Sequence, residues 1–298
     1  MSETHTQTKI IVEKKKPESN VFDVMGGDAR WEVKIHDHGV VALLDVMPRF
    51  APEGKTADFA IVQAARVSYG EGTKQVNEDR GLIRYLARHR HTTPFEMVEF
   101  KFHHVMPIFV ARQWIRHRTA NVNEYSARYS VVKDRFYRPS MENIRQQSTT
   151  NRQGGDEATD VSTAEDFLKY LDATESRYAN YEQMLDKGVA REIARIGLPL
   201  SLYTEWYWKI DLHNLFHFLS LRMDSHAQQE IRDYANAMFS LIQPIVPVAA
   251  EAFLDYNFHS VRLSRLEIEA LRTHQPLATD NKRENAEWEE KKKRLGIE

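Results

Sequence analysis

The chain has 298 residues, 42% hydrophobic and 28% charged, with 41 Lys+Arg against 43 Asp+Glu for a net charge of −2, and it has no cysteine. This is the composition of a globular chain of one or two domains, and it excludes a disulfide scaffold, a cysteine-ligated zinc or iron–sulfur site and a cysteine nucleophile. No run approaches the ~18 apolar residues of a membrane span, the amino terminus has no signal-peptide core, and no global basic field marks a nucleic-acid binder, so a cytoplasmic location without membrane or nucleic-acid partner is expected.

Residues 1–35 are polar, with Lys14 to Lys16 in a run, and read as an extension ordered only if something pins it. Residues 36–275 are expected to form one domain, and 276–298 a charge-mixed tail that is either an exposed helix or disordered. TADFAIVQAARVSYG (56–70) is Ala-rich and predicts a helix ending near Gly70. NEDRGLIRYLARHRH (77–91) predicts a second, with acids near its start and bases near its end. In FEMVEFKFHHV (95–105), Val98, Phe100 and Phe102 alternate with Glu99, Lys101 and His103, the period of a half-buried strand. Thr92, Thr93 and Pro94 form a polar turn before it. Pro107 then opens a helix expected to run to Arg118.

Residues 145–163 read as a polar loop. A long amphipathic helix is expected over 164–188, stopped by Gly188, and a short one over 189–197. SLYTEWYWKID (201–211) is β-prone, and helices follow over 211–223 and 226–243. The fold class expected is α/β of the α+β kind: helices packed around a small, largely antiparallel sheet.

Weak motifs fall away first. Gly54-Lys55-Thr56 ends like a Walker A motif, but the required first glycine is Arg49. No G-x-G-x-x-G is present. His89, His91, His103 and His104 lack the H-E-x-x-H spacing, so no metal site is expected.

Between Ile108 and Pro139 stand seven bases (Arg112, Arg116, Arg118, Arg128, Lys133, Arg135, Arg138) and two acids (Glu124, Asp134), a local charge of +5 on a chain of −2. Such a cluster on a near-neutral chain points to a small anionic ligand rather than a polymer. Arg116, Arg118 and Arg128 offer planar forks for phosphate, Ser126 a hydroxyl, Gln113 and Asn123 amides, and Glu124 an acceptor for a sugar hydroxyl. If the helix runs to Arg118, Gln113 and Arg116 share a face. A nucleotide satisfies this donor set; a surface ion-pair network satisfies the residue types equally. Arg222 closes an apolar helix (Leu215, Phe218, Leu219) and requires a partner, either an acid such as Asp224 or a ligand carbonyl.

RHRTANVNEYS resembles the signature of the flavin-dependent thymidylate synthases, and ARVSYG, HTTPFE, PIFVARQWIRHR, NEYSARYS, VAREIARIGLPLSLYTEWYW and LRMDSHAQ resemble that family's blocks in order, over about residues 60–255. The resemblance implies a thymidylate synthase-complementing-protein-like fold and a homotetramer with sites between subunits. It implies conversion of dUMP to dTMP with 5,10-methylenetetrahydrofolate as carbon donor, FAD as hydride carrier and NADPH as reductant. Ser68, Thr93, Arg116, His117, Arg118, Glu124 and His217 would lie at the flavin, with Asp211 and His213 near its adenosine. Gln113, Arg116, Glu124, Tyr125, Ser126, Ala127, Arg128 and Arg195 would line the dUMP site, where Arg222 would promote ionisation of the pyrimidine. Asn121, where members often have Ser, and Asp211, His213 and His217 depart from the usual pattern.

Independently of the resemblance, a cysteine-free chain cannot attack uracil through a thiolate, whereas a flavin hydride route needs no protein nucleophile. Two rival classes remain: a non-catalytic flavin or nucleotide sensor, and an RNA-binding protein using the basic stretch 112–138 with Tyr125, Tyr129 and Phe136 for stacking.

Overall fold

A computed structural model describes residues 18–22, 31–67, 79–148 and 154–297. Their elements are, in order, β1 (Glu18–Asn20), β2 (Trp31–Ile35), β3 (Gly39–Met47), β4 (Phe50–Pro52), α1 (Asp58–Val67), α2 (Asp79–Arg88), α3 (Thr93–Glu96), β5 (Glu99–Pro107), α4 (Ile108–Trp114), β6 (Asn121–Glu124), β7 (Arg145–Gln147), β8 (Gly155–Ala158), α5 (Val161–Glu175), α6 (Arg177–Asp186), α7 (Arg191–Ala194), β9 (Tyr203–Asp211), α8 (Leu212–Arg222), α9 (Gln229–Ile242), α10 (Pro247–Phe253), α11 (Arg265–Thr273) and α12 (Lys282–Leu295). The chain divides into two compact units, Met1–Ala250 and Glu251–Glu298.

The first unit is built on a five-stranded antiparallel sheet in the order β2-β3-β5-β9-β6. β5 carries the expected alternation, and its neighbour β9, also nine residues long, alternates with it. Phe100, Phe102, His104 and Met106 of β5 stand on one face, opposite Ile210, Trp208, Trp206 and Thr204 of β9. On that face α4, α8 and α9 close the core, where Trp114 stacks on Phe218 at 4.9 Å and meets Trp208 and Trp206 edge-on at 5.5 and 5.7 Å. The opposite face is polar: Lys209 pairs with Glu99 at 3.0 Å and His103 faces Glu205 at 3.4 Å.

His104 breaks the apolar pattern inside the core. It is fully buried, accepts from Trp206 Nε1 at 3.2 Å, and burial holds its pKa well below the usual histidine value, so the ring is neutral. The end of the polar amino-terminal stretch is pinned: β2 pairs with β3, and Trp31 and Ile35 are buried. Gly39 at this hairpin admits no side chain, since a Cβ would lie 2.2 Å from Tyr234 Oη and 2.5 Å from Ile35 O.

Several boundaries differ from expectation. The helix expected over 56–70 begins at Asp58 and runs to Val67; its expected end near Gly70 lies outside the described residues. The 92–96 turn contains α3, a single helical turn, and the 145–163 loop holds the hairpin β7–β8 and the start of α5. The helix expected over 164–188 is two, α5 and α6, meeting at Ser176. Thr174 Oγ1 and Ser176 Oγ donate back to the carbonyls of Tyr170 and Ala173, both at 2.8 Å, the back-bonding that bends helices. Gly188, at φ +83°, stops α6 as expected.

In the second unit, Ser264 and Glu267 form a capping box at the start of α11, and Asn281 caps α12. The charge-mixed tail is therefore helical over Lys282–Leu295. Trp288 is buried with Ala270 and Leu277, and Lys291 pairs with Glu267 at 2.7 Å.

Candidate active site

Pro107 ends β5 and caps α4. The first helical N–H groups find acceptors outside the helix: Ile108 N donates to Leu202 O at 2.9 Å and Phe109 N to Leu200 O at 3.1 Å. The helix stops at Trp114, whose side chain is locked in the core, so the expected run to Arg118 is not formed. Gln113 and Arg116 thus share no helical face. Instead, residues 115–118 turn toward β6 and carry His117 against α8.

Arg222, the last residue of α8, donates Nε to His117 Nε2 at 3.0 Å and Nη2 to the Gln113 carbonyl at 3.5 Å. Burial, then the Arg222 charge and His217, push His117 down to about 4. His117 is therefore neutral near pH 7, accepting on Nε2 with its proton on Nδ1. The expected alternative partner, Asp224, instead accepts from His226 N at 2.8 Å and contacts His226 Nδ1 at 2.7 Å. Among the described residues no carboxylate pairs with Arg222, which is half-buried and whose pKa is lowered by that burial.

Gln113 Nε2 donates to Gln228 Oε1, joining α4 to the segment between α8 and α9. Glu124 ends the edge strand β6, where its carboxylate accepts from Thr204 Oγ1 at 2.7 Å. Tyr125 is fixed at both ends, its N–H on Glu205 O at 2.8 Å and its hydroxyl on Val131 O at 2.7 Å. Ser126 begins a tight turn in which its Oγ accepts from Arg128 N at 3.3 Å, and Ala127 packs on the cluster of Val132, Phe136, Tyr178, Tyr181 and Leu202. Arg128 pairs with Glu192 of α7 at 3.1 Å. Arg195 follows α7 half-buried; it and the exposed Arg116 and Arg118 have no side-chain partner among the described residues.

Of the remaining expected residues, Thr93, Asp211 and His213 lie apart from this cluster, and His217 adjoins it. Thr93 is exposed in a groove of about 1100 Å³ with Phe59, Tyr85, His91 and Met97. Asp211 caps α8, its carboxylate accepting from Asn214 N at 2.9 Å and Nδ2 at 2.7 Å. With His213 it sits at the start of the helix that Arg222 ends, about 16 Å away at the helical rise. His217 lies between them, 6.2 Å from the His117 ring. Ser68 lies outside the described residues. Sequence reasoning missed Thr204 and Glu192, since neither belongs to the basic stretch and both reach it only through the fold.

That stretch is also less free than its composition implies. Arg128, Lys133 and Arg138 pair with Glu192, Glu205 and Asp172, all from outside it.

Residues 50–248 match the sequence profile of the family described as thymidylate synthase complementing protein. The chain is 71% identical over 287 residues to the flavin-dependent thymidylate synthase of Dictyostelium discoideum, covering 96% of this chain and 95% of that one. It is 53% identical over 242 residues to that of Wolbachia pipientis wMel, covering 81% and 82%. Among solved structures it is similar to a UMP/dUMP methylase, PolB from Streptomyces cacaoi, bound with 5-Br dUMP. That match has a TM-score of 0.65 at 33% identity over 76% of this chain and 99% of that one.

Proposed function

The chain belongs to the thymidylate synthase complementing protein family, the flavin-dependent thymidylate synthases, and from that premise we propose that it methylates dUMP to dTMP with 5,10-methylenetetrahydrofolate as carbon donor, FAD as hydride carrier and NADPH as reductant. The observation that carries the reading is Arg222: a half-buried guanidinium held by a neutral histidine and a carbonyl, with no carboxylate among the described residues to neutralise it. Such a charge is best placed to stabilise negative charge that develops on a pyrimidine as N3 loses its proton.

The chain's own groups bind and orient rather than attack. No cysteine exists, and the bonded partner of Ser126 Oγ is a main-chain N–H rather than a histidine base. Gln113, Arg116, Glu124, Tyr125, Ser126, Ala127, Arg128 and Arg195 would hold dUMP, its phosphate on the Arg128 side. Arg116 and Arg118, without a side-chain partner among the described residues, suit the pyrophosphate of FAD, and the Thr93 groove, about 1100 Å³, has the volume for a flat ring system. His117, Glu124, His217, Asp211 and His213 would complete that site, with Ser68 beside it. When bound, the flavin supplies the hydride.

A homotetramer with sites between subunits completes the reading. Apolar residues adjoin site residues in the sequence yet stay exposed in the single chain: Ile115 at 44%, Val122 at 41% and Leu221 at 48%. Among the described residues no helix is long and apolar enough to cross a membrane; we place the enzyme in the cytoplasm. The RNA-binding alternative has less support, because three bases of its loop are ion-paired.

Arg222→Ala tests the reading. Turnover to dTMP, followed by chromatography, is expected to fall at least about 100-fold while flavin stays bound. Wild-type turnover in that variant would remove Arg222 from the reaction.

A further inference from the structure

A chain of hydrogen bonds runs from the core to Gln113. Tyr137 is buried, its N–H donated to Ser201 O at 2.9 Å and its ring 5.5 Å from that of Phe109. Its hydroxyl donates to Glu230 Oε1 at 2.9 Å. The other oxygen, Oε2, accepts from Gln228 Nε2 at 2.7 Å, and Gln228 Oε1 accepts from Gln113 Nε2. Phe109 and Gln113 are four apart on α4, so Tyr137 reaches that helix twice, through its ring and through the bonded chain.

The order of donors in this chain has one solution. An ionised carboxylate only accepts. Gln228 must therefore turn its NH₂ toward Glu230, which leaves its carbonyl for Gln113. Gln113 must answer with its own NH₂. A single negative charge thus sets the sense of two side-chain amides in series.

We propose that Glu230 is a positioning residue: through Gln228 it fixes which end of the Gln113 amide faces the bound nucleotide. This rests on the reading of Gln113 as a dUMP contact. Glu230 reaches the nucleotide only through Gln228 and Gln113, so its effect is expected on binding more than on the chemical step.

The test is a charge exchange within the relay of the flavin-loaded enzyme. Glu230→Gln lets residue 230 present either end of its amide, and Gln228→Glu sets two acceptors face to face. Each is expected to weaken dUMP binding, measured by calorimetry, about fivefold. Each should also raise KM for dUMP more than it lowers kcat. The double variant, Gln228→Glu with Glu230→Gln, again offers Gln113 an acceptor and places a donor behind it. It is expected to return dUMP affinity to within about twofold of wild type.

Equal affinity in all four proteins would overturn the proposal. So would a double variant as weak as the single ones, the outcome that simple loss of packing predicts. A wild-type enzyme that binds no dUMP would overturn the reading of Gln113 and this inference with it. If either single variant fails to fold, Tyr137→Phe keeps the ring and removes only the hydroxyl. Its dUMP affinity is then expected to fall about twofold, and unchanged affinity would count against the relay.

Discussion

Arg222 and His117 form a pair in which only one partner is charged. Burial disfavours a charged His117, and protonation would also set two cations 3.0 Å apart, so its pKa falls to about 4. The pair therefore delivers one net positive charge over the range where an enzyme of neutral solution works. Arg128 is different in kind. It is exposed and shares its guanidinium with Glu192, so on the proposed reading it would capture an anion rather than stabilise charge that appears later. Arg128→Ala is accordingly expected to raise KM for dUMP roughly tenfold with kcat changed far less, as steady-state kinetics would show. An unchanged KM would remove Arg128 from the substrate site.

At the scale of elements, Asp58 ties α1 to the start of α10. Its buried carboxyl accepts from Val248 N at 2.8 Å and Ala249 N at 3.1 Å. Burial outweighs these bonds and raises its pKa from 3.8 to about 6. The folded protein therefore binds this proton more tightly than the unfolded chain. The stabilisation is fully present below about 3.8 and is lost as pH rises to about 6. Asp58→Asn removes this titration. Denaturant melts of the two proteins at pH 4 and pH 7 are expected to show wild type losing on the order of 2–3 kcal/mol relative to the variant across that interval. Parallel pH profiles would show that Asp58 does not titrate there.

The elements legible in the sequence were those whose pattern is set by burial along their own length. β5 and β9 alternate because one face meets the helices, and α8 and α9 carry continuous apolar stripes. β6 was not legible: all four residues of NVNE are exposed, and what makes them a strand is pairing with β9. The stop of α4 at Trp114 was hidden for a related reason, since the helical pattern continues past it, and the ring at that position is engaged with Phe218 from a distant helix.

Across the whole molecule, the site residue types were readable from one basic stretch and one arginine, but their partners were not. Gln113 meets Gln228 across 115 positions, Glu124 meets Thr204 across 80, and Arg128 meets Glu192 across 64. Contacts of that separation follow from the order of strands in the sheet, which brings β6 beside β9 and the end of α8 over α4. The donor set assembled in this way is cationic, neutral at its histidine, and without a thiol. It is suited to holding a nucleotide beside a redox cofactor rather than to attacking it.

The most direct test of that account is the visible absorbance of the purified full-length protein during dUMP titration. The account predicts a flavin spectrum, present as purified or after FAD is added, that shifts saturably as dUMP binds. A colourless protein that neither takes up FAD nor responds to dUMP would contradict it.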